Sequence, residues 1–160
     1  MLVAYPLALP FLVCNTPQHI NLKLEMKEFY RVLQIEDEEI AAIGFRAAIL
    51  NALAAHDLPE NKLGIMRVEN ESEATELLDE IEFRPDMIVA DLTSEKRNIT
   101  SLENKLRTLP HRPPLIVLSG YDYTKRPLGS LVEASFNKGG DMDKAAEYIV
   151  TKIKELDRLS

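Results

Sequence analysis

The sequence is poor in cysteine, tryptophan and histidine, and these shortages exclude several kinds of protein. Among its 160 residues there is a single cysteine, Cys14, so no intramolecular disulfide can form. No Cys-x-x-Cys pair or cysteine–histidine group has the spacing of a zinc site. The three histidines, at positions 19, 56 and 111, are far apart in the chain, and we expect structural roles for them. One cysteine and no disulfide fit a reducing, cytoplasmic setting.

The sequence also contains fewer basic than acidic residues. Lysine and arginine number 19 against 26 aspartate and glutamate residues, which gives a formal net charge of −7. Such a surface repels phosphate backbones, so we do not expect direct binding to nucleic acid. The six glycines form no GxGxxG or Walker A pattern, so the sequence gives no support for nucleotide binding.

Length and composition predict one ordinary globular domain. Apolar residues make up 46% of the chain and charged residues 28%, values typical of soluble proteins rather than disordered ones. A chain of this length can bury a sizeable core without disulfides or structural metals. We find no internal repeat, linker or second folded domain.

The first 28 residues are an apolar N-terminal extension that precedes the folded domain at 29–160. Residues 1–14 are strongly apolar, but they lack the basic start of a signal peptide and contain Pro6 and Pro10. The run is too short to span a bilayer, so we expect no transmembrane segment. Three interpretations stay open: a docking arm for this domain or a second subunit, which we favour, a membrane-surface contact, or a translation start placed too early.

From residue 30 onward, strand-like and helix-like segments alternate. Five apolar runs have the length and boundaries of buried strands, at 31–35, 63–68, 86–90, 115–118 and 132–137. Helical periodicity is found at 38–56, 71–82, 99–109 and 141–156. Segment 122–131 contains a proline and a glycine, so we expect a short or irregular fourth helix there. In the first helix the spacing of the apolar residues predicts an inward face of Ile40, Ile43, Ala47, Leu50 and Ala54.

This order predicts an α/β fold with a doubly wound (βα)5 architecture. The strand runs are continuously apolar, which is typical of parallel strands covered by helices on both faces. We therefore expect a flavodoxin-like three-layer sandwich whose five-stranded parallel sheet has the order 2-1-3-4-5. Ligands of such sheets bind at the carboxyl ends of the strands, near the switch point between the first and third strands.

Polar residues follow four of the predicted strands at that edge. They are the pair Glu36 and Asp37, then Asp91, Ser119 and Lys138. Carboxylates held close together repel each other, and a hard divalent cation such as Mg²⁺ relieves that cost. Asp91 would be placed to attack a phosphoryl group as a carboxylate nucleophile, with Lys138 balancing the incoming charge and the Ser119 hydroxyl donating a hydrogen bond.

Four stretches resemble the signature strands of response-regulator receiver domains, the CheY-like family of two-component signalling. They lie in family order between residues 30 and 156 and read Tyr-Arg-Val-Leu-Gln-Ile-Glu-Asp-Glu-Glu, Arg-Pro-Asp-Met-Ile-Val-Ala-Asp-Leu, Pro-Pro-Leu-Ile-Val-Leu-Ser-Gly and Phe-Asn-Lys. The resemblance implies that Asp91 is the phosphoacceptor and that Glu36 and Asp37 form the acidic pair around Mg²⁺. It also implies that Ser119 is the switch hydroxyl and Lys138 the phosphate-contacting lysine.

The resemblance implies a stand-alone receiver in a phosphorelay rather than a metabolic enzyme. A histidine kinase or phosphotransfer protein would donate the phosphoryl group in the presence of Mg²⁺. The output would pass through a downstream protein or through self-association as a homodimer. Hydrolysis of its own aspartyl phosphate would be the one further reaction, and Thr93, two residues after Asp91, is a candidate for controlling water access.

Several departures from the family pattern motivate an alternative. Lys138 is followed by Gly139 where the family usually has proline, and the loop after Asp91 lacks the usual proline and glycine. The segment between Ser119 and Lys138 is also short, which puts the usual output face in doubt. The alternative is a phosphorylation-independent pseudo-receiver that acts as a protein-interaction module. A flavodoxin-like redox protein is the third reading, and no phosphate cradle supports it.

Overall fold

The computed structural model describes residues 29–80, 82–91, 100–120 and 129–159. The N-terminal extension, Thr93 and most of segment 122–131 lie outside these residues, so the division at residue 28 stays a prediction. The described residues form a parallel sheet of five strands in the order 2-1-3-4-5. The predicted α/β fold class and strand order are therefore confirmed.

The five strands follow the predicted apolar runs closely. They are β1 (Tyr30–Ile35), β2 (Leu63–Val68), β3 (Met87–Asp91), β4 (Leu115–Ser119) and β5 (Val132–Asn137). Every residue of β3 and β4 is buried, whereas the edge strands β2 and β5 are partly exposed along their length. This gradient explains why the central strands read as continuous apolar runs and why β5 has a weaker pattern.

Four α-helices lie in the described part of the chain. They are α1 (Glu39–Ala55), α2 (Glu71–Leu77), α3 (Thr100–Thr108) and α4 (Met142–Leu159), and a single 3₁₀ turn (Glu60–Lys62) precedes β2. A fifth helix, predicted between β4 and β5, would fall mainly on residues 121–128, outside the described ranges. None of the described helices combines the length and the apolar character needed to cross a bilayer.

Helix α2 ends five residues earlier than predicted. Asn70 begins it as an N-cap, because its side chain accepts a hydrogen bond from the Glu73 N–H at 3.0 Å. At the other end, the Glu80 N–H bonds to the Leu77 carbonyl, which tightens the chain into a 3₁₀-like turn. The predicted end at residue 82 is therefore wrong, although Ala74 and Leu78 are buried.

Two apolar layers cover the sheet. On one face, α1 and α4 pack on strand residues such as Val32, Val89 and Ile116. On the other face, α2 and α3 pack on Leu33 and their neighbours in β3 and β4. The helices therefore cover both faces of the sheet, as the three-layer prediction requires.

The predicted inward face of α1 is wrong. Ile40 is 86% exposed and Ile43 is 61% exposed, whereas Phe45 and Ile49 are buried. Helix α1 carries apolar residues on most of its circumference, so helical spacing alone does not select the buried side. The structure buries the side that combines large residues with small alanines facing α4; its members are Ala42, Phe45, Ala48, Ile49, Ala52 and Leu53.

Two polar contacts join helices to the ends of strands. At the amino ends of the strands, the Tyr30 hydroxyl donates to the Asp157 carboxylate at 2.6 Å, and Lys62 Nζ lies 3.1 Å from the same oxygen. On the α3 side, the buried Glu103 carboxylate accepts a hydrogen bond from the Leu131 N–H at 2.7 Å. The first contact joins β1, the 3₁₀ turn and α4, and the second joins α3 to the residue before β5.

Candidate functional site

Three of the five predicted site residues meet at the carboxyl ends of the strands. Glu36 follows β1, Asp91 ends β3 and Lys138 follows β5. Lys138 Nζ lies 2.6 Å from Asp91 Oδ2 and 2.8 Å from Glu36 Oε2. The parallel sheet thus brings together residues that are 47 and 102 positions apart in sequence.

The two carboxylates are almost completely buried. Asp91 is 3% exposed and Glu36 is 2% exposed. Lys138 bonds to Asp91 Oδ2, but the other oxygen, Asp91 Oδ1, is buried and has no hydrogen-bond partner among the described residues. Burying a carboxylate oxygen without a hydrogen-bond partner costs free energy. This cost favours the binding of a ligand at Asp91 Oδ1.

Burial also changes the protonation of this cluster. Desolvation, opposed by the Lys138 hydrogen bond and reinforced by the charge of Glu36, raises the pKa of Asp91 to about 6. Desolvation by itself would lower the pKa of Lys138, but its bonds to Asp91 and Glu36 outweigh it and raise that pKa above the ordinary value. Lys138 therefore stays charged, whereas Asp91 changes charge close to physiological pH.

Asp37 completes an acidic cluster with the chemistry of a hard-cation site. Single carboxylate oxygens of Glu36, Asp37 and Asp91 all lie within 4.8 Å of one another. Asp37 is exposed, so one side of the cluster is open to solvent. Carboxylate oxygens around an open position suit Mg²⁺, which binds through one or two carboxylates and keeps several waters. The unpartnered Asp91 Oδ1 strengthens the fit.

Ser119 is placed beside this cluster by the backbone. It is the last residue of β4 and is completely buried, and its carbonyl accepts a hydrogen bond from the Lys138 N–H at 2.7 Å. This bond joins the ends of β4 and β5, so Ser119 helps to hold the backbone of Lys138. The role of its hydroxyl as a switch stays a prediction.

Sequence reasoning missed Arg67 of β2. Its Nε donates to the Glu36 carbonyl at 2.8 Å and its Nη2 donates to the Asp37 carbonyl at 3.0 Å. An arginine on an edge strand reads as an ordinary surface charge in sequence. Only the parallel register, which pairs Arg67 with Gln34 near the end of β1, brings it to the acidic pair.

No protein-family model matches the sequence, and no curated protein is significantly similar to it. Solved structures do match in fold. A CheY-like response-regulator receiver domain of Methylobacillus flagellatus shares 22% identity at a TM-score of 0.57, over 78% of this chain and 98% of that one.

Two further solved structures hold ligands at their own sites. The receiver domain of a Pseudomonas aeruginosa sensor histidine kinase, with magnesium coordinated in its active-site cleft, has 14% identity and a TM-score of 0.59, over 79% of this chain and 98% of that one. A Thermotoga maritima response regulator in complex with Mg²⁺ and BeF has 19% identity and a TM-score of 0.53, over 80% and 99%. At these identities the likeness is one of fold: the chain has the fold of response-regulator receiver domains.

Proposed function

We propose that this chain is a phosphoryl-accepting receiver in a phosphorelay and that Asp91 is the phosphoacceptor. The observation that carries the proposal is the buried contact of Lys138 with Asp91 and Glu36, next to an Asp91 oxygen that has no hydrogen-bond partner within the described part of the chain. In a purely structural ion pair we would expect both carboxylate oxygens to be satisfied. The receiver fold supports the same reading.

The transfer step uses the carboxylate of Asp91. One of its oxygens forms a bond to phosphorus while the bond from phosphorus to the donor's leaving group breaks, which yields an acyl phosphate. Lys138 remains cationic and balances the charge of the transferred group, and Ser119 is proposed to donate a hydrogen bond to a phosphoryl oxygen. Mg²⁺, held by Glu36, Asp37 and Asp91, would supply further charge neutralisation when bound.

The proposed donor is a histidine kinase or a phosphotransfer protein, and the proposed output is contact with a downstream protein or self-association. We place the protein in the cytoplasm with that donor. The net charge of −7 gives no reason to propose direct nucleic-acid binding.

Phosphorylation of the full chain by acetyl phosphate in the presence of Mg²⁺ tests this function. We expect intact-mass spectrometry to show one added phosphoryl group, which is lost in Asp91→Asn. Asp86→Asn is the matched control, because Asp86 directly precedes the same strand, at the end opposite Asp91, and accepts a hydrogen bond from the Arg31 N–H. Absence of the adduct from folded wild-type protein, or its persistence in Asp91→Asn, would contradict the assignment.

A second candidate function rests on the same lysine. Because Lys138 already contacts both Glu36 and Asp91, the acids have a counterion without phosphate or Mg²⁺. This favours a pseudo-receiver that binds its partner constitutively. Partner affinity that is unchanged by Asp91→Asn and by beryllofluoride would support the second candidate over the first.

A further inference from the structure

Arg67 crosses from the edge strand to the turn that carries the acidic pair. Its guanidinium donates two hydrogen bonds, from Nε to the Glu36 carbonyl and from Nη2 to the Asp37 carbonyl. The rigid fork of an arginine can hold two acceptors in a fixed relation, which a single ammonium group cannot do. Arg67 therefore sets the backbone of two consecutive residues of the candidate metal site.

Other hydrogen bonds also hold the turn between β1 and α1. The Glu36 N–H bonds to the Val68 carbonyl at 2.9 Å, and the Glu38 N–H bonds to Glu36 Oε1 at 3.0 Å. Helix α1 begins at Glu39 without a side-chain cap from Glu38. Lys138 Nζ bonds directly to the Glu36 carboxylate, so Arg67 adds a constraint on the backbone of this turn.

We infer that Arg67 is a positioning residue for the candidate metal site. Its two bonds to the Glu36 and Asp37 carbonyls fix the backbone from which both carboxylates reach the site beside Asp91. This inference rests on the proposed function, since it concerns the same site. It adds that the edge strand β2 contributes to metal affinity through the backbone.

The charge of Arg67 and its positioning hydrogen bonds predict opposite effects on Mg²⁺ affinity when the residue is replaced. A cation beside a cation site repels the incoming metal, so loss of the charge alone would strengthen Mg²⁺ binding. Loss of the positioning bonds would weaken binding, because partners that orient metal ligands typically change affinity by about 10- to 100-fold. The direction of the change therefore separates the two explanations.

Arg46 provides a matched control. It lies on α1 and lines the same groove of about 200 Å³ as Arg67, together with Ile43 and Ile65. Arg46→Ala removes one positive charge from this groove, as Arg67→Ala does. The hydrogen bonds to the Glu36 and Asp37 carbonyls are donated by Arg67.

The first measurement is the Mg²⁺ dissociation constant of the full chain, by calorimetry or by titration of amide NMR signals. We expect Arg67→Ala to raise it about tenfold and Arg46→Ala to leave it unchanged or lower it. Arg67→Lys should lie between wild type and Arg67→Ala, because one ammonium replaces one of the two bonds. If Arg67→Ala does not fold, the comparison is made with Arg67→Lys instead.

The second measurement is made without metal. Hydrogen exchange of the Glu38 amide reports the turn, because that amide bonds to Glu36 Oε1. We expect faster exchange in Arg67→Ala and Arg67→Lys but not in Arg46→Ala. An unchanged dissociation constant, an unchanged Glu38 exchange rate, or an equal loss of affinity in Arg46→Ala would overturn the inference. Failure of wild type to bind Mg²⁺ would instead contradict the proposed function, and the exchange experiment would still test Arg67.

Discussion

Asp91 is a buried carboxylate, and the residues that the structure describes provide a hydrogen bond to only one of its two oxygens. Its pKa in the folded protein, about 6, lies above its ordinary value of 3.8 because burial penalises the ionised form. A group whose pKa is raised by folding stabilises the protein below its unfolded pKa, and this contribution is lost as pH rises through the folded pKa. The ionised site therefore destabilises the fold at neutral pH.

We predict that Asp91→Asn stabilises the protein at pH 7. The difference between 6 and 3.8 corresponds to about 3 kcal/mol, so a gain of about 1–3 kcal/mol in the free energy of unfolding is expected. Urea denaturation at pH 7 and at pH 4 checks this, because the gain should shrink as wild-type Asp91 becomes protonated. Asp86→Asn serves as the control. A loss of stability, or a gain that does not depend on pH, would contradict the prediction.

At the scale of elements, α1 offers the sharpest test of packing. Ile49 is 1% exposed and Ile43 is 61% exposed, although both are isoleucines of the same helix. We predict that Ile49→Ala lowers the free energy of unfolding by about 2–5 kcal/mol and that Ile43→Ala changes it by less than about 0.5 kcal/mol. Thermal or chemical denaturation of the two variants checks this. Equal losses of stability in the two variants would support the inward face of α1 that the apolar spacing predicted.

The same helix shows how far the sequence could predict the molecule. Continuous apolar runs identified the central strands. The position of Asp91 at the end of one strand and of Lys138 after another predicted that these residues meet. The buried side of α1 could not be read from spacing, because isoleucines and alanines occur all around that helix. Arg67 could not be found either, since its contacts follow from the register of β1 against β2.

Glu103 and Gly129 form a second test at this scale. A methyl group at Gly129 would overlap the Glu103 carboxylate, which accepts the Leu131 N–H. We predict that Gly129→Ala displaces this carboxylate and lowers stability by about 1–3 kcal/mol, the cost of leaving a buried polar group unpaired. The cost should be smaller in a Glu103→Ala background, as a double-mutant cycle would measure. Equal costs in both backgrounds would mean that the strain has another source.

At the scale of the whole molecule, the sheet carries a buried lysine–carboxylate cluster at each end. Asp157, near the end of α4, binds both Tyr30 and Lys62 at the amino ends of the strands. We predict that Asp157→Ala lowers the free energy of unfolding by about 1–3 kcal/mol, because it removes the acceptor of the Tyr30 hydroxyl and a carboxylate partner of the nearly buried Lys62 ammonium.

The exposed pair Lys144–Asp141 provides the comparison for Asp157→Ala. Lys144→Ala should lower stability much less than Asp157→Ala, since solvent screens that pair. Denaturant unfolding of both variants gives the difference. Similar losses would mean that burial does not distinguish the two ion pairs.

The uncompensated oxygen of Asp91 also has a consequence for how long the protein persists. Any ligand that prefers the folded form protects it by mass action, about 2.7 kcal/mol when the free ligand is a hundred times its dissociation constant. Proteases act on the unfolded form, and under this condition its population falls about a hundredfold. If Asp91 binds a cation or a phosphoryl group, the empty protein should be degraded faster than the occupied one. The abundance of this chain in a cell would then follow the occupancy of this site.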